Sequence, residues 1–146
     1  MPFTPTSVGG LDLPSSIDSH QRLLERLRAC SVGQCDPRLN AEALCFDSRC
    51  TLGQWLYGPG RTRLGQYRGF TDLLEQHRMF HITASNVVAL SRAGQHARAQ
   101  QMAQKQLEAF SNGVLKRLTA MQAWIERRAQ RRQAAADQTR LPVSKR

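Results

Sequence analysis

Apolar residues recur along this chain at intervals of three and four, the spacing of one face of an α-helix. Ile17, Leu23, Leu24 and Leu27 form a first stripe that ends near Ala29, and Ser15-Ser16-Ile17-Asp18 offers residues that cap a helix start. A second helix is expected from Asn40 to Tyr57, with a break near Asp47-Ser48. Gly58-Pro59-Gly60 reads as a turn, because glycine tolerates positive φ and proline fixes its own. The longest periodic run is Phe70, Leu73, Leu74, His77, Phe80, His81, Ala84, Val87, Val88 and Leu90. It predicts a third helix from Tyr67 or Thr71 to Ala93, capped by Thr71-Asp72 and stopped by Gly94. A fourth helix is expected from Gln95 to Ala134, with Leu107, Phe110, Val114, Leu118, Met121 and Ile125 on its apolar face. Gly113 inside it is tolerated at some cost. No strand-like alternation of useful length and no internal repeat stand out, so the expected fold is all-α, a four-helix bundle.

Composition adds boundaries and charge. Residues 1–14 hold Pro2, Pro5, Gly9, Gly10 and Pro14 and read as an unstructured lead-in. Residues 15–128 form the expected bundle, and residues 129–146 a basic, disordered tail. A chain of 146 residues is one domain, large enough for a core without disulfide staples. The net charge of +10 favours nucleic acid, an anionic membrane or an acidic protein face. Half of that charge lies beyond residue 125, where seven Lys or Arg stand against Glu126 and Asp137. No segment approaches the roughly 18–20 apolar residues that span a bilayer. The start of the chain has neither the basic nor the apolar region of a secretory signal, which points to a reducing cytoplasm with free thiols.

The chemistry concentrates in four residues. His77 and His81 are one helical turn apart, so both imidazoles lie on one face and can reach one metal ion. Cys50 and His20 lie on two other helices that a bundle packs against the third. Three imidazoles and one thiolate suit a closed tetrahedral zinc site, structural or sensory rather than hydrolytic. Arg78 follows His77, so the general-base glutamate of the His-Glu-x-x-His proteases is missing. Asp72 or Glu75 is expected to orient an imidazole, and His96 to be exposed at a helix start. Cys30, Cys35 and Cys45 lack a Cys-x-x-Cys knuckle and read as packing or surface thiols. One of them is a candidate to resolve an oxidised Cys50. Trp55 and Tyr57 are expected to pack the second helix against its neighbours or a dimer partner, with Gly53 permitting close approach. Trp124 fits either the core or a dimer surface.

The run Cys50-Thr-Leu-Gly53-Gln-Trp55-Leu-Tyr-Gly58-Pro-Gly60-Arg61, then Tyr67, Phe70, Leu73 and His77-x-x-x-His81, resembles the chemoreceptor zinc-binding domain. His20, thirty residues before Cys50, fills that family's first-helix histidine position. The resemblance spans roughly residues 15–125. It departs at Leu23, where the family often has an aromatic residue. It implies a four-helix bundle, often dimeric, that holds zinc by His20, Cys50, His77 and His81. It also implies a role in bacterial signalling beside chemoreceptors or diguanylate cyclases, with zinc or oxidants such as hypochlorous acid as the signal. Neither a methyl-accepting nor a cyclase domain follows, so the output is expected to act in trans.

Three function classes compete on these grounds. The first is a non-catalytic zinc-dependent sensor in which Cys50 is also the redox-sensing residue. The second is a basic helical nucleic-acid-binding protein with a structural zinc, its tail tracking phosphates. The third, a small metalloenzyme, is disfavoured by four protein ligands and by the lack of a phosphate-binding glycine loop or nucleophile elbow.

Overall fold

The structure, a computed structural model, describes residues 7–8 and 10–140. Residues 1–6 and 9 of the expected lead-in and 141–146 of the expected tail lie outside the described residues. The chain opens with a short antiparallel pair, β1 (Ser7–Val8) and β2 (Leu11–Asp12), that turns through Gly10 at φ +89°. Helix α1 (Leu13–Ser31) follows at once. The expected start at Ser15 is therefore late. Asp12 is the cap, accepting the Ser15 N–H at 3.1 Å, and Pro14 sits in the first turn, where its missing N–H costs nothing. Leu11 and Leu13 are buried, so this end of the lead-in belongs to the core.

Helix α1 ends at a reversal. Gly33 takes φ +93° and the Gln34 N–H reaches back to the Ala29 carbonyl at 2.9 Å. That reversal carries Cys35 back over the end of α1, where it is joined to Cys30 as a disulfide. The expectation of free thiols is corrected for these two residues. Cys45 and Cys50 are the free cysteines.

The expected second helix is two short ones, α2 (Ala41–Leu44) and α3 (Thr51–Tyr57), and a further short helix, α4 (Pro59–Leu64), follows it. The break falls at 45–50, around the Asp47-Ser48 pair expected to interrupt it. Asn40 caps α2 and Cys50 caps α3. The turn expected at Gly58-Pro59-Gly60 is the junction between α3 and α4, and Pro59 opens α4. Neither glycine there has a positive φ. Gly60 is needed for space, since a β-carbon would stand 2.7 Å from the Trp55 ring.

Helix α5 (Arg68–Arg92) is the longest central element. It begins ahead of Thr71-Asp72 and has no side-chain cap, and Gly94 at φ +78° closes it as expected. Helix α6 (His96–Met102), a π-helical turn (Ala103–Leu107) and α7 (Glu108–Thr139) then run without a break. This last helix passes Ala134, so residues 129–139 of the basic segment are helical and almost wholly exposed.

The core divides in two. One apolar cluster includes Leu13, Leu52, Leu56, Leu73, Leu118 and Met121, and the other Leu24, Leu27, Phe80, Val87, Val88 and Leu107. A polar layer separates them. On α1, His20 lies between Ile17 of the first cluster and Leu24 of the second. On α5, His77 lies between Leu73 and Phe80 in the same way, and on α7 Ser111 lies between Leu107 and Val114. The architecture is an all-α bundle with its functional layer at mid-height.

Gly53 fixes the segment that carries Cys50. A β-carbon there would collide with the Asp47 carbonyl, a backbone atom that cannot swing away. Gly53→Ala is expected to destabilise the fold by about 1–3 kcal/mol, the usual cost of overpacking. Urea denaturation beside wild type checks this, and an unchanged midpoint would refute the close approach.

Candidate metal centre

The four residues singled out by sequence come together from three elements. His20 projects from α1, His77 and His81 from successive turns of α5, and Cys50 stands at the start of α3. One donor atom from each lies within 4.8 Å of all the others. His20, His77 and His81 are buried, and Cys50 is partly so.

His81, His77 and Cys50 each have a polar neighbour besides the other donors. The Nδ1–H of His81 donates to the Leu44 carbonyl of α2 at 2.9 Å, because a carbonyl can only accept. That hydrogen bond leaves the Nε2 lone pair of His81 pointing inward, 3.2 Å from Nε2 of His77. Nε2 of His77 is also 3.2 Å from the Cys50 sulfur. The opposite nitrogen of His77, Nδ1, is 3.9 Å from Asp47 Oδ2 and has no hydrogen bond within the described residues. Asp47 is held in turn by the Tyr57 hydroxyl, which donates to Oδ2 at 2.6 Å. The carboxylate facing the site is thus Asp47 rather than the expected Asp72 or Glu75. Both of those are exposed, and Glu75 is paired with Arg78 at 3.1 Å. Periodicity along α5 could not reveal Asp47, which sits in the break between α2 and α3.

Cys50 has two structural neighbours besides the histidines. The Gly53 N–H donates to its sulfur at 3.2 Å, and the thiol is 3.6 Å from the Asp47 carbonyl. Burial raises the Cys50 thiol above its ordinary value, partly opposed by the Gly53 and Leu52 amides. The imidazoles move the other way. Burial, reinforced by neighbouring histidine, lowers His20 to about 4 and lowers His77 as well. Burial lowers His81 too, against the Leu44 carbonyl that favours its N–H. All three rings are therefore neutral at pH 7, the state in which a ring nitrogen can bind a metal.

The donors fit a zinc ion. Both ring nitrogens of His20 are buried without a hydrogen-bond partner, an expensive condition that a metal bond would relieve. Three nitrogens and one sulfur are the ligand chemistry of a closed zinc site. Zinc–nitrogen and zinc–sulfur bonds of about 2.0 and 2.3 Å give tetrahedral edges of roughly 3.3–3.6 Å. The contacts at 3.2 Å around His77 match that scale, and the widest separation, up to 4.8 Å, requires only a small inward shift.

The remaining sequence candidates lie elsewhere. His96 is exposed at the start of α6, as expected. Trp55 is a core residue, whereas Tyr57 is exposed and engaged by Asp47. Trp124 is half-buried and packs on the first cluster. No helix among the described residues is long and apolar enough to cross a membrane.

Comparison with known proteins agrees with this geometry. Residues 20–88 match the family model of the chemoreceptor zinc-binding domain, a span that begins at His20 and contains Cys50, His77 and His81. No curated protein and no solved structure matches the chain. The match supports a chemoreceptor zinc-binding domain over residues 20–88, a family of zinc-binding signalling modules.

Proposed function

We propose that His20, Cys50, His77 and His81 hold one zinc ion, and that the chain is a non-catalytic cytoplasmic sensor of zinc, of oxidant, or of both. Its output is a chemoreceptor or diguanylate cyclase acting in trans, and its working form is a homodimer. The observation that carries this reading is the convergence of four metal-competent donors from α1, α3 and α5, with both ring nitrogens of His20 buried and left without a hydrogen-bond partner.

Bound zinc would supply a positive charge that keeps the Cys50 sulfur as a thiolate despite its burial. The protein does the rest. The Leu44 carbonyl sets the outer nitrogen of His81, so that its Nε2 faces inward, and Asp47 stands 3.9 Å from the outer nitrogen of His77. Metal binding ties the short helices to α1 and α5, and its free energy becomes stability of the bundle. An oxidant such as hypochlorous acid would transfer oxygen to the Cys50 thiolate, giving a sulfenic acid and releasing chloride. The oxidised sulfur is a poorer donor, so oxidation and zinc loss would bias the same two-state element, the segment 45–58. This segment is the natural moving part because it is built of short helices joined by a break.

Elemental analysis of untagged protein purified without chelator is expected to find about one zinc per chain, lost in Cys50→Ala and in His77→Ala. Chelation should lower the melting temperature by roughly 10 °C. Folded wild-type protein free of any metal would refute the site. Asp47→Asn should weaken zinc binding roughly 10- to 100-fold in competition with a chelating dye, as loss of an orienting carboxylate does elsewhere. Unchanged affinity would remove Asp47 from the site's support. In wild type, hypochlorous acid should release zinc and modify Cys50. Zinc release that leaves the Cys50 thiol intact would separate the oxidant from this mechanism.

A further inference from the structure

A second site stands apart from the metal centre, at the junction of α4, the start of α5 and the basic half of α7. Three contiguous cavities of about 610, 670 and 640 Å³ share Trp124 and Arg128. Around them stand Arg61 and Arg63 from α4, and Arg127, Arg131 and Arg132 from α7. Tyr67 packs on Trp124 with ring centroids 4.9 Å apart, and the Arg128 guanidinium lies 5.2 Å from the indole.

The charge here is uncompensated. None of these six arginines has a salt bridge among the described residues. No acidic side chain lines the cavities. Glu126 and Asp137, the acids of this stretch of α7, accept from Gln122 and Gln133 on their own helix instead. Residues 1–6, 9 and 141–146 contain no Asp or Glu that could fold back to neutralise the cleft. Six like charges on one face repel one another, so the arrangement is stabilised by an anion. A second copy of the chain docked face to face would bring arginines against arginines.

We propose that this cleft binds a nucleotide, its phosphate held by the guanidiniums of Arg61, Arg63, Arg128 and Arg132 and its base laid against Trp124. Arginine presents a planar fork matched to phosphate oxygens, and an aromatic floor offers a face to a heterocycle. The cavities have the size of small-ligand sites. The same chemistry comes from a free nucleotide or from one residue of a single strand. It is independent of the metal-centre reading and stands or falls without it.

The test is titration of the full chain with ATP, inorganic triphosphate and a short single-stranded oligonucleotide, at low and at physiological salt. The expected result is binding that weakens with salt and favours ATP over triphosphate. Arg63→Ala with Arg128→Ala should weaken it about tenfold or more, while Arg22→Ala on α1 should not. Trp124→Ala should remove the preference for ATP over triphosphate, a loss of about five- to fiftyfold, and Trp124→Phe should keep most of it. Circular dichroism confirms that each variant remains helical. An oligonucleotide bound much more tightly than ATP assigns the strand, and equal or tighter ATP assigns the free nucleotide. Failure to bind ATP or oligonucleotide overturns the proposal. So does ATP binding no tighter than triphosphate and insensitive to Trp124→Ala, which would be attraction to charge alone.

Discussion

Everything in this bundle is arranged around one constraint: imidazole nitrogens buried at mid-core must find a partner. Desolvation makes the charged form of each ring unfavourable, so protonation does not satisfy them. Leu44 serves one nitrogen of His81, and Asp47 approaches one of His77. The inward nitrogens of His77 and His81 are left to one another, with the Cys50 sulfur beside His77. An apolar layer here would have packed as one continuous core. The polar layer instead splits the hydrophobic cluster in two.

Two scales of support surround that layer. The long helices α1 and α5 present His20, His77 and His81 from buried positions. The short helices present Cys50 from a junction held by single contacts: Asn40 and Cys50 as caps, the Asp47 carbonyl against Gly53, and Trp55 against Gly60. Ser85 adds one more tie, donating to the Ala41 carbonyl at 2.6 Å. Three of the candidate donors thus come from long helices and one from a lighter appendage.

Much of this was legible in the sequence because helical periodicity is a long-range signal. The α5 stripe from Phe70 to Val88 placed His77 and His81 on one buried face, and the stripe through Leu24 and Leu27 placed His20 beside them. What escaped was set by single polar atoms or by tertiary fit. Pro14 reads as a breaker until Asp12 is seen to cap the helix it opens. Gly58 and Gly60 suggest positive φ, yet the actual demand at Gly60 is room for an indole ring. Asp47 has no periodic neighbours, and only the folded break turns it toward His77. Cys30 and Cys35 are five apart in sequence, and the Gly33 reversal alone makes them neighbours.

The Cys50 sulfur also holds an office that has nothing to do with metal. It receives the Gly53 amide and so begins α3, a helix only two turns long that carries Trp55 and Leu56 into the core. Helix cap and candidate metal donor are one atom. Whatever draws that sulfur away from the Gly53 amide also frees the first turn of α3 to unwind. A change of a single bond at the thiol is thereby written into the path of the backbone, from Thr51 toward the buried indole.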